Sequence, residues 1–95
     1  MEKRDLYIEK INAQIKQYSA KLAEMRGKAT ETHADMKLEY FNQVENLEGK
    51  MDGLKEKYEQ LKKSSESSWE DIKEGTENAW DELKESVVKA KKHFK

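Results

Sequence analysis

The sequence has no cysteine and no proline among its 95 residues, and it has only four glycines. Without cysteine the chain can form neither disulfides nor thiolate metal sites, and it has no cysteine nucleophile. Without proline, and with so little glycine, almost nothing interrupts regular backbone. The abundance of Glu, Lys, Leu, Ala and Met favours helix over strand. We therefore expect an all-α fold.

Long apolar runs are also missing, and no run of even seven apolar residues occurs. We therefore expect neither a signal peptide nor a membrane span, and a cytoplasmic location. Charged residues make up 41% of the chain and apolar residues 35%, whereas ordinary domains contain about 25% and 45–50%. These values predict one helical domain, residues 1–95, with a thin core. With a net charge of −1, the chain does not have the broad positive potential that nucleic-acid binding usually needs. Nucleic acid is therefore not an expected partner.

The chain does contain two heptad patterns. In each of them, apolar residues recur alternately three and four positions apart, which is typical of an amphipathic coiled-coil helix. The frames of the two patterns differ by one inserted residue, which changes the supercoil locally. The first comprises Ile8, Ile11, Ile15, Tyr18, Leu22, Met25 and Ala29, and the second comprises Tyr40, Val44, Leu47, Met51, Leu54, Tyr58 and Leu61.

The frame shift lies near Gly27, Thr30 and Thr32, where one helix could end and another begin. Most residues in this region are good helix formers, however, and a lone glycine costs only about 1 kcal/mol. We therefore expect one continuous helix over about residues 3–62, on the order of 90 Å long. A three-helix bundle broken near residues 27–32 is the alternative.

A polar stretch with four serines follows this helix and predicts a turn at about residues 63–67. Ser67 and Glu70 have the spacing of a capping box, so a second helix is expected over about residues 68–92. Because a turn this short returns the chain along itself, the two helices should form an antiparallel hairpin.

An eleven-residue repeat relates residues 69–75 to residues 80–86. Eleven residues make close to three helical turns, so Trp69 and Trp80 return to nearly the same face. This face carries the apolar residues expected to pack against the long helix. They are Trp69, Ile72, Trp80, Leu83 and Val87.

These segments resemble a family of short bacterial coiled-coil proteins known as stress-response proteins. The resemblance lies in Ser-Trp-Glu-Asp-Ile-Lys-Glu-Gly at 68–75, Asn-Ala-Trp-Asp-Glu-Leu-Lys at 78–84, Tyr-Ile-Glu-Lys at 7–10 and Lys-Leu-Glu-Tyr at 37–40. It implies a soluble bacterial helical protein, and it assigns no chemistry to any residue.

The polar residues offer no catalytic or metal-binding pattern. His33 and His93 are sixty positions apart, and neither has a second ligand at a metal-binding spacing. The many carboxylates are better explained as the charged flanks of helices, since catalysis needs a desolvated cleft that a thin assembly does not provide. We expect no enzyme activity and no cofactor.

The two tryptophans have two interpretations, packing within the protein or contact with a lipid surface. Residues 64–88 hold eight acidic residues and two lysines, a net charge of −6 that an anionic bilayer would repel. Residues 1–28 hold seven basic and four acidic residues, a net charge of +3. This asymmetry favours antiparallel or intersubunit pairing of the two ends over binding to a polyanion.

We therefore expect a non-enzymatic, self-associating coiled-coil protein with a structural or interaction role, related to stress. A two-helix hairpin covers only one side of each apolar stripe, so a homo-oligomer is the expected assembly, with an unidentified protein as a further partner. Peripheral lipid binding through the eleven-residue repeats is the alternative. The expected packing residues are Ile8, Ile11, Ile15, Leu22, Tyr40, Val44, Leu47, Leu54, Trp69, Ile72, Trp80, Leu83 and Val87.

Overall fold

The computed structural model of the chain describes residues 3–93 and consists of three helices. They are α1 (Lys3–Glu31), α2 (Ala34–Lys63) and α3 (Glu66–His93). These residues contain no strand. The all-α fold is thus confirmed, in the three-helix form that the sequence analysis gave as the alternative.

The expected continuous helix over residues 3–62 is wrong, because the chain reverses at Thr32 and His33. The Thr30 and Thr32 hydroxyls donate to the carbonyls of Gly27 and Lys28, at 2.6 and 3.0 Å, and so satisfy acceptors at the end of α1. Reversal lets the apolar stripe of α2 cover that of α1. Each buried aliphatic side chain contributes about 1.5–3 kcal/mol, so this burial outweighs the loss of a few helical hydrogen bonds.

The serine-rich turn lies where it was expected but is shorter, since only Ser64 and Ser65 separate α2 from α3. Helix α3 begins at Glu66, two residues earlier than the predicted start at about residue 68. Ser65 is therefore the residue that precedes the helix. Its carbonyl accepts from the Ser68 amide at 3.2 Å. Ser67 lies within the first turn of α3 and does not precede it.

The helices form an elongated bundle of 51 × 20 × 18 Å. α2 runs antiparallel to both other helices and packs closely against each, whereas the backbones of α1 and α3 stay further apart and meet through side chains. Within one chain, the basic helix α1 and the acidic helix α3 therefore run parallel to each other, whereas the sequence analysis favoured antiparallel or intersubunit pairing of the two ends. The buried core comprises Ile11, Ile15, Tyr18, Leu22, Met25, Ala29, Tyr40, Val44, Leu47, Met51, Leu54, Leu83, Val87 and Ala90.

Candidate interaction surface

Two aromatic pairs fill the space between α1 and α3. The ring centroids of Tyr7 and Trp69 are 5.8 Å apart with planes at 83°, and those of Tyr18 and Trp80 are 4.6 Å apart at 71°. Both are edge-to-face arrangements, which aromatic rings favour over direct stacking. Large rings on both helices also explain why the backbones of α1 and α3 do not approach closely. The tryptophans of the repeat thus contact the chain's own tyrosines.

Arg4 joins all three helices at the end of the bundle that carries the serine turn. Its guanidinium lies 4.9 Å from the centroid of Trp69 on α3. The same group donates hydrogen bonds to the Ser64 carbonyl at 2.5 Å and to the Ser64 hydroxyl at 3.3 Å. It also donates to the Leu61 carbonyl at 3.5 Å. A cation at a helix C-terminus satisfies free carbonyls and interacts favourably with the helix dipole. Arg4 therefore caps α2 and packs on α3 at once.

Tyr7, a member of the first aromatic pair, also has polar and charged neighbours. Its hydroxyl donates to Glu77 at 3.4 Å, and the Lys73 ammonium lies 5.1 Å from its ring centroid. Burial, followed by the negative charge of Glu77, raises the pKa of Tyr7 from 10.0 to about 12. The hydroxyl therefore remains protonated and a hydrogen-bond donor at neutral pH.

Arg26 and Glu48 link α1 to α2. The Arg26 Nε and Nη2 atoms donate to the two Glu48 oxygens at 3.0 and 2.5 Å, a bidentate arrangement. This hydrogen bonding raises the pKa of Arg26 and lowers that of Glu48. The guanidinium also lies 5.8 Å from the Phe41 ring centroid. The contact sets how α1 lies on α2 near the first reversal.

The structure places most of the expected packing residues in the core. Four of them are only half-buried, namely Ile8, Trp69, Ile72 and Trp80. Trp69 and Trp80 are half-buried because they fill the wider gap between α1 and α3. The fully buried members are Ile11, Ile15, Leu22, Tyr40, Val44, Leu47, Leu54, Leu83 and Val87.

Sequence reasoning missed the partners of the tryptophans. Tyr7 and Tyr18 are eleven residues apart, the same separation as Trp69 and Trp80. Two equal spacings on two helices allow both pairs to form when the helices run parallel. A search for the eleven-residue period in α1 as well as in α3 would have found these pairs, whereas no spacing points to Arg4.

Four large apolar side chains stay exposed among the described residues, and three of them lie at one end of the bundle. Met36 is 41% exposed, Leu38 72% and Val88 47%, whereas Leu6, at 52%, lies at the other end. The antiparallel packing of α2 and α3 brings the first turns of α2 beside the last turns of α3. We call Met36, Leu38 and Val88 the open end of the bundle.

The grooves between the helices are open and shallow in character. One groove, of about 420 Å³, lies between α1 and α2 and is lined by residues that include Leu22, Arg26 and Glu48. Among residues 3–93 no group of three or more acidic or histidine side chains could hold a metal ion. His33 is exposed at the start of α2, and the side chain of His93 lies outside the described residues.

Within the part of the chain that the structure describes, no helix combines the length and apolar character needed to cross a bilayer. Comparison of the chain with models of protein families, with curated proteins and with solved structures gave no match.

Proposed function

We propose that this chain is a non-enzymatic helical interaction protein that self-associates through the open end of the bundle. The observation that supports the proposal is that Met36, Leu38 and Val88, three of the four exposed large apolar side chains among the described residues, all lie at that end. Met36 and Leu38 lie two positions apart in α2 and therefore face different sides of that helix. The candidate site is thus the end of the bundle and not a single helix face. Exposed apolar side chains concentrated in one region are typical of interaction sites, whereas single ones scattered over a surface are not.

The three-helix form changes where self-association can occur. A hairpin would leave one side of each heptad stripe uncovered, but here the three helices bury their apolar residues against one another in a single core. Met36 is the exception, because it lies four residues before Tyr40 on the same face of α2 and yet is exposed. A second chain that covers the open end would extend the core of the bundle at this point.

We further propose that the protein is cytoplasmic and belongs to a bacterial stress response. This proposal rests on the resemblance of residues 68–84 to stress-response coiled-coil proteins and on the absence of a membrane-spanning helix among residues 3–93. A pull-down from stressed cells would identify further protein partners, since helix periodicity carries no information on them.

Sedimentation velocity over a wide range of concentrations tests self-association. The wild-type protein should shift towards a dimer or larger species as its concentration rises. In the double variant Met36→Ser, Leu38→Ser, the dissociation constant of the dimer should rise by a factor on the order of ten or more. Each apolar side chain buried in the interface contributes about 1.5–3 kcal/mol, and serine removes that contribution.

Leu6→Ser is the matched control, since Leu6 is as exposed as the others but lies at the opposite end. It should leave the association unchanged. A wild-type protein that stays monomeric at every concentration would refute the proposed function, and an equal effect of Leu6→Ser would move the interface away from the open end.

A further inference from the structure

We propose that two copies of the chain exchange α1, with Thr32 and His33 becoming helical so that α1 and α2 form one continuous helix in a domain-swapped dimer. This inference deepens the proposed self-association and depends on it. It names a second copy as the partner and gives the mode of assembly.

The first reversal contains nothing that requires a break in the helix. Among residues 3–93 no backbone φ is positive, and the chain has no proline. His33, which precedes α2, makes no side-chain capping hydrogen bond. The Thr32 hydroxyl donates to the Lys28 carbonyl four residues earlier, a bond that threonine also makes inside helices. Little local energy therefore opposes a helical hinge.

The apolar face also continues through the hinge. Ala29, Thr32, Met36 and Tyr40 follow one another at steps of three, four and four, so they share one face of a continuous helix. In the closed chain Ala29 and Tyr40 are buried, but Met36 between them is exposed. In an exchanged dimer the two long helices would cross in antiparallel order at the hinge, and each would cover the other's Met36.

Exchange would keep the contacts that hold the closed chain together. α1 would pack on the partner's α2 and α3, so Arg26–Glu48 and Tyr18–Trp80 would form between chains with the same geometry. The closed and exchanged states then differ mainly at the hinge and in the entropy of association. Such an exchange is a low-cost route to a dimer.

The serine turn is a poorer hinge than the first reversal. The Ser64 carbonyl and hydroxyl both accept hydrogen bonds from Arg4, and the Ser64 hydroxyl also donates to the Leu61 carbonyl at 2.8 Å. Opening at this turn would break these contacts. The proposal therefore assigns the exchange to α1 and the first reversal.

Ala34→Pro is the decisive variant. Ala34 is the first residue of α2, where proline is favoured, and His33 before it is extended, with φ −54° and ψ 144°, as a residue before proline prefers. The closed chain should accept this proline, whereas in a continuous helix it would lie in the interior and break it. Because a dimer contains two such prolines, dimerisation should weaken at least about a hundredfold.

Glu66→Pro is the matched control, since Glu66 is the first residue of α3 after the other turn. It should leave dimerisation through the first hinge unchanged. The opposite change, Thr32→Ala with His33→Ala, adds helix formers at the hinge and should strengthen dimerisation by about tenfold or less. Circular dichroism will show whether each variant keeps its helical content.

Two measurements on the isolated dimer identify its form. Small-angle scattering should give a rod of about 90 Å, because roughly sixty helical residues rise about 1.5 Å each, against the 51 Å length of the closed chain. Since the chain has no cysteine, Arg26→Cys with Glu48→Cys introduces a single pair. A short thiol cross-linker should then join two chains on a denaturing gel.

The outcomes separate this inference from the proposed function. Dimers that persist in Ala34→Pro, or cross-links confined to one chain in the isolated dimer, would overturn the exchange and leave self-association standing. A monomeric wild type together with a monomeric Thr32→Ala, His33→Ala variant would overturn both.

Discussion

At the scale of single residues, Arg4 combines functions that are usually distributed over several side chains. One guanidinium satisfies acceptors at the end of α2 and lies over a ring of α3 while belonging to α1. A shorter or neutral side chain could not donate to the Ser64 carbonyl and also reach the ring of Trp69. The junction should therefore be sensitive to a single substitution.

Arg4→Met should lower the free energy of unfolding by about 1–2 kcal/mol. Methionine keeps much of the aliphatic stem but removes the hydrogen bonds and the cation–π contact, each worth about 1 kcal/mol at a partly exposed site. Urea unfolding measures the change. Lys3→Met is the control, since Lys3 is exposed and its neutralisation should change stability little. Equal effects of both variants would show that only charge matters.

The contacts of Arg4 also show what the sequence could not reveal. Arg4 and Ser64 are separated by sixty positions, and no periodicity relates an isolated arginine to a turn that far away. The Tyr7–Trp69 and Tyr18–Trp80 pairs are different, because their equal eleven-residue spacings are visible in the sequence. Regular repeats can thus predict packing partners, whereas single capping residues cannot be found before the fold is known.

At the scale of helices, periodicity predicted which faces are buried, but not the position of the first break. Val44, Leu47 and Leu54 are buried as the heptad spacing predicted, because one helical face is determined locally. The reversal at residues 32–33 has no breaker residue and depends on the burial of two long stripes against each other. The serine turn was predictable, because a polar segment without apolar residues has no side chains that could pack in the core as part of a helix.

Gly49→Ala should raise the free energy of unfolding by about 1 kcal/mol. Gly49 lies inside α2 at an exposed position, and an added Cβ would meet nothing within 4 Å. Alanine should therefore gain helix propensity without a steric penalty. Thermal and urea unfolding measure the change. The reverse substitution Ala20→Gly, at an exposed position of α1, should lower stability by a similar amount, and a neutral result for both would show that these helices are fixed by packing alone.

At the scale of the whole molecule, the charge distribution supports the parallel arrangement of α1 and α3. The tract with a net charge of +3 at residues 1–28 includes most of α1, and the tract of −6 at residues 64–88 includes most of α3. Their side-by-side placement lowers the electrostatic energy of one chain without a partner. An anionic membrane would also repel the acidic tract of α3.

Trp69→Ala with Trp80→Ala distinguishes packing from lipid contact for the molecule as a whole. The two rings contact Tyr7 and Tyr18, so their loss should lower the free energy of unfolding by about 2 kcal/mol per site, less than the 3–5 kcal/mol of a fully buried aromatic. Leu6→Ala, at a side chain that is 52% exposed and lies away from the open end, should change the melting temperature little.

Vesicles provide the second half of this test, because tryptophan emission shifts to the blue when the ring enters a bilayer interface. With the rings held between α1 and α3, neither zwitterionic nor anionic vesicles should change the emission of the wild-type protein. Lipid contact through α3 would require the helix to leave the bundle, which would break both aromatic pairs and expose the buried Leu83 and Val87. A blue shift on vesicles, combined with an unchanged melting curve for the double variant, would therefore contradict the packing interpretation and favour the lipid-surface alternative.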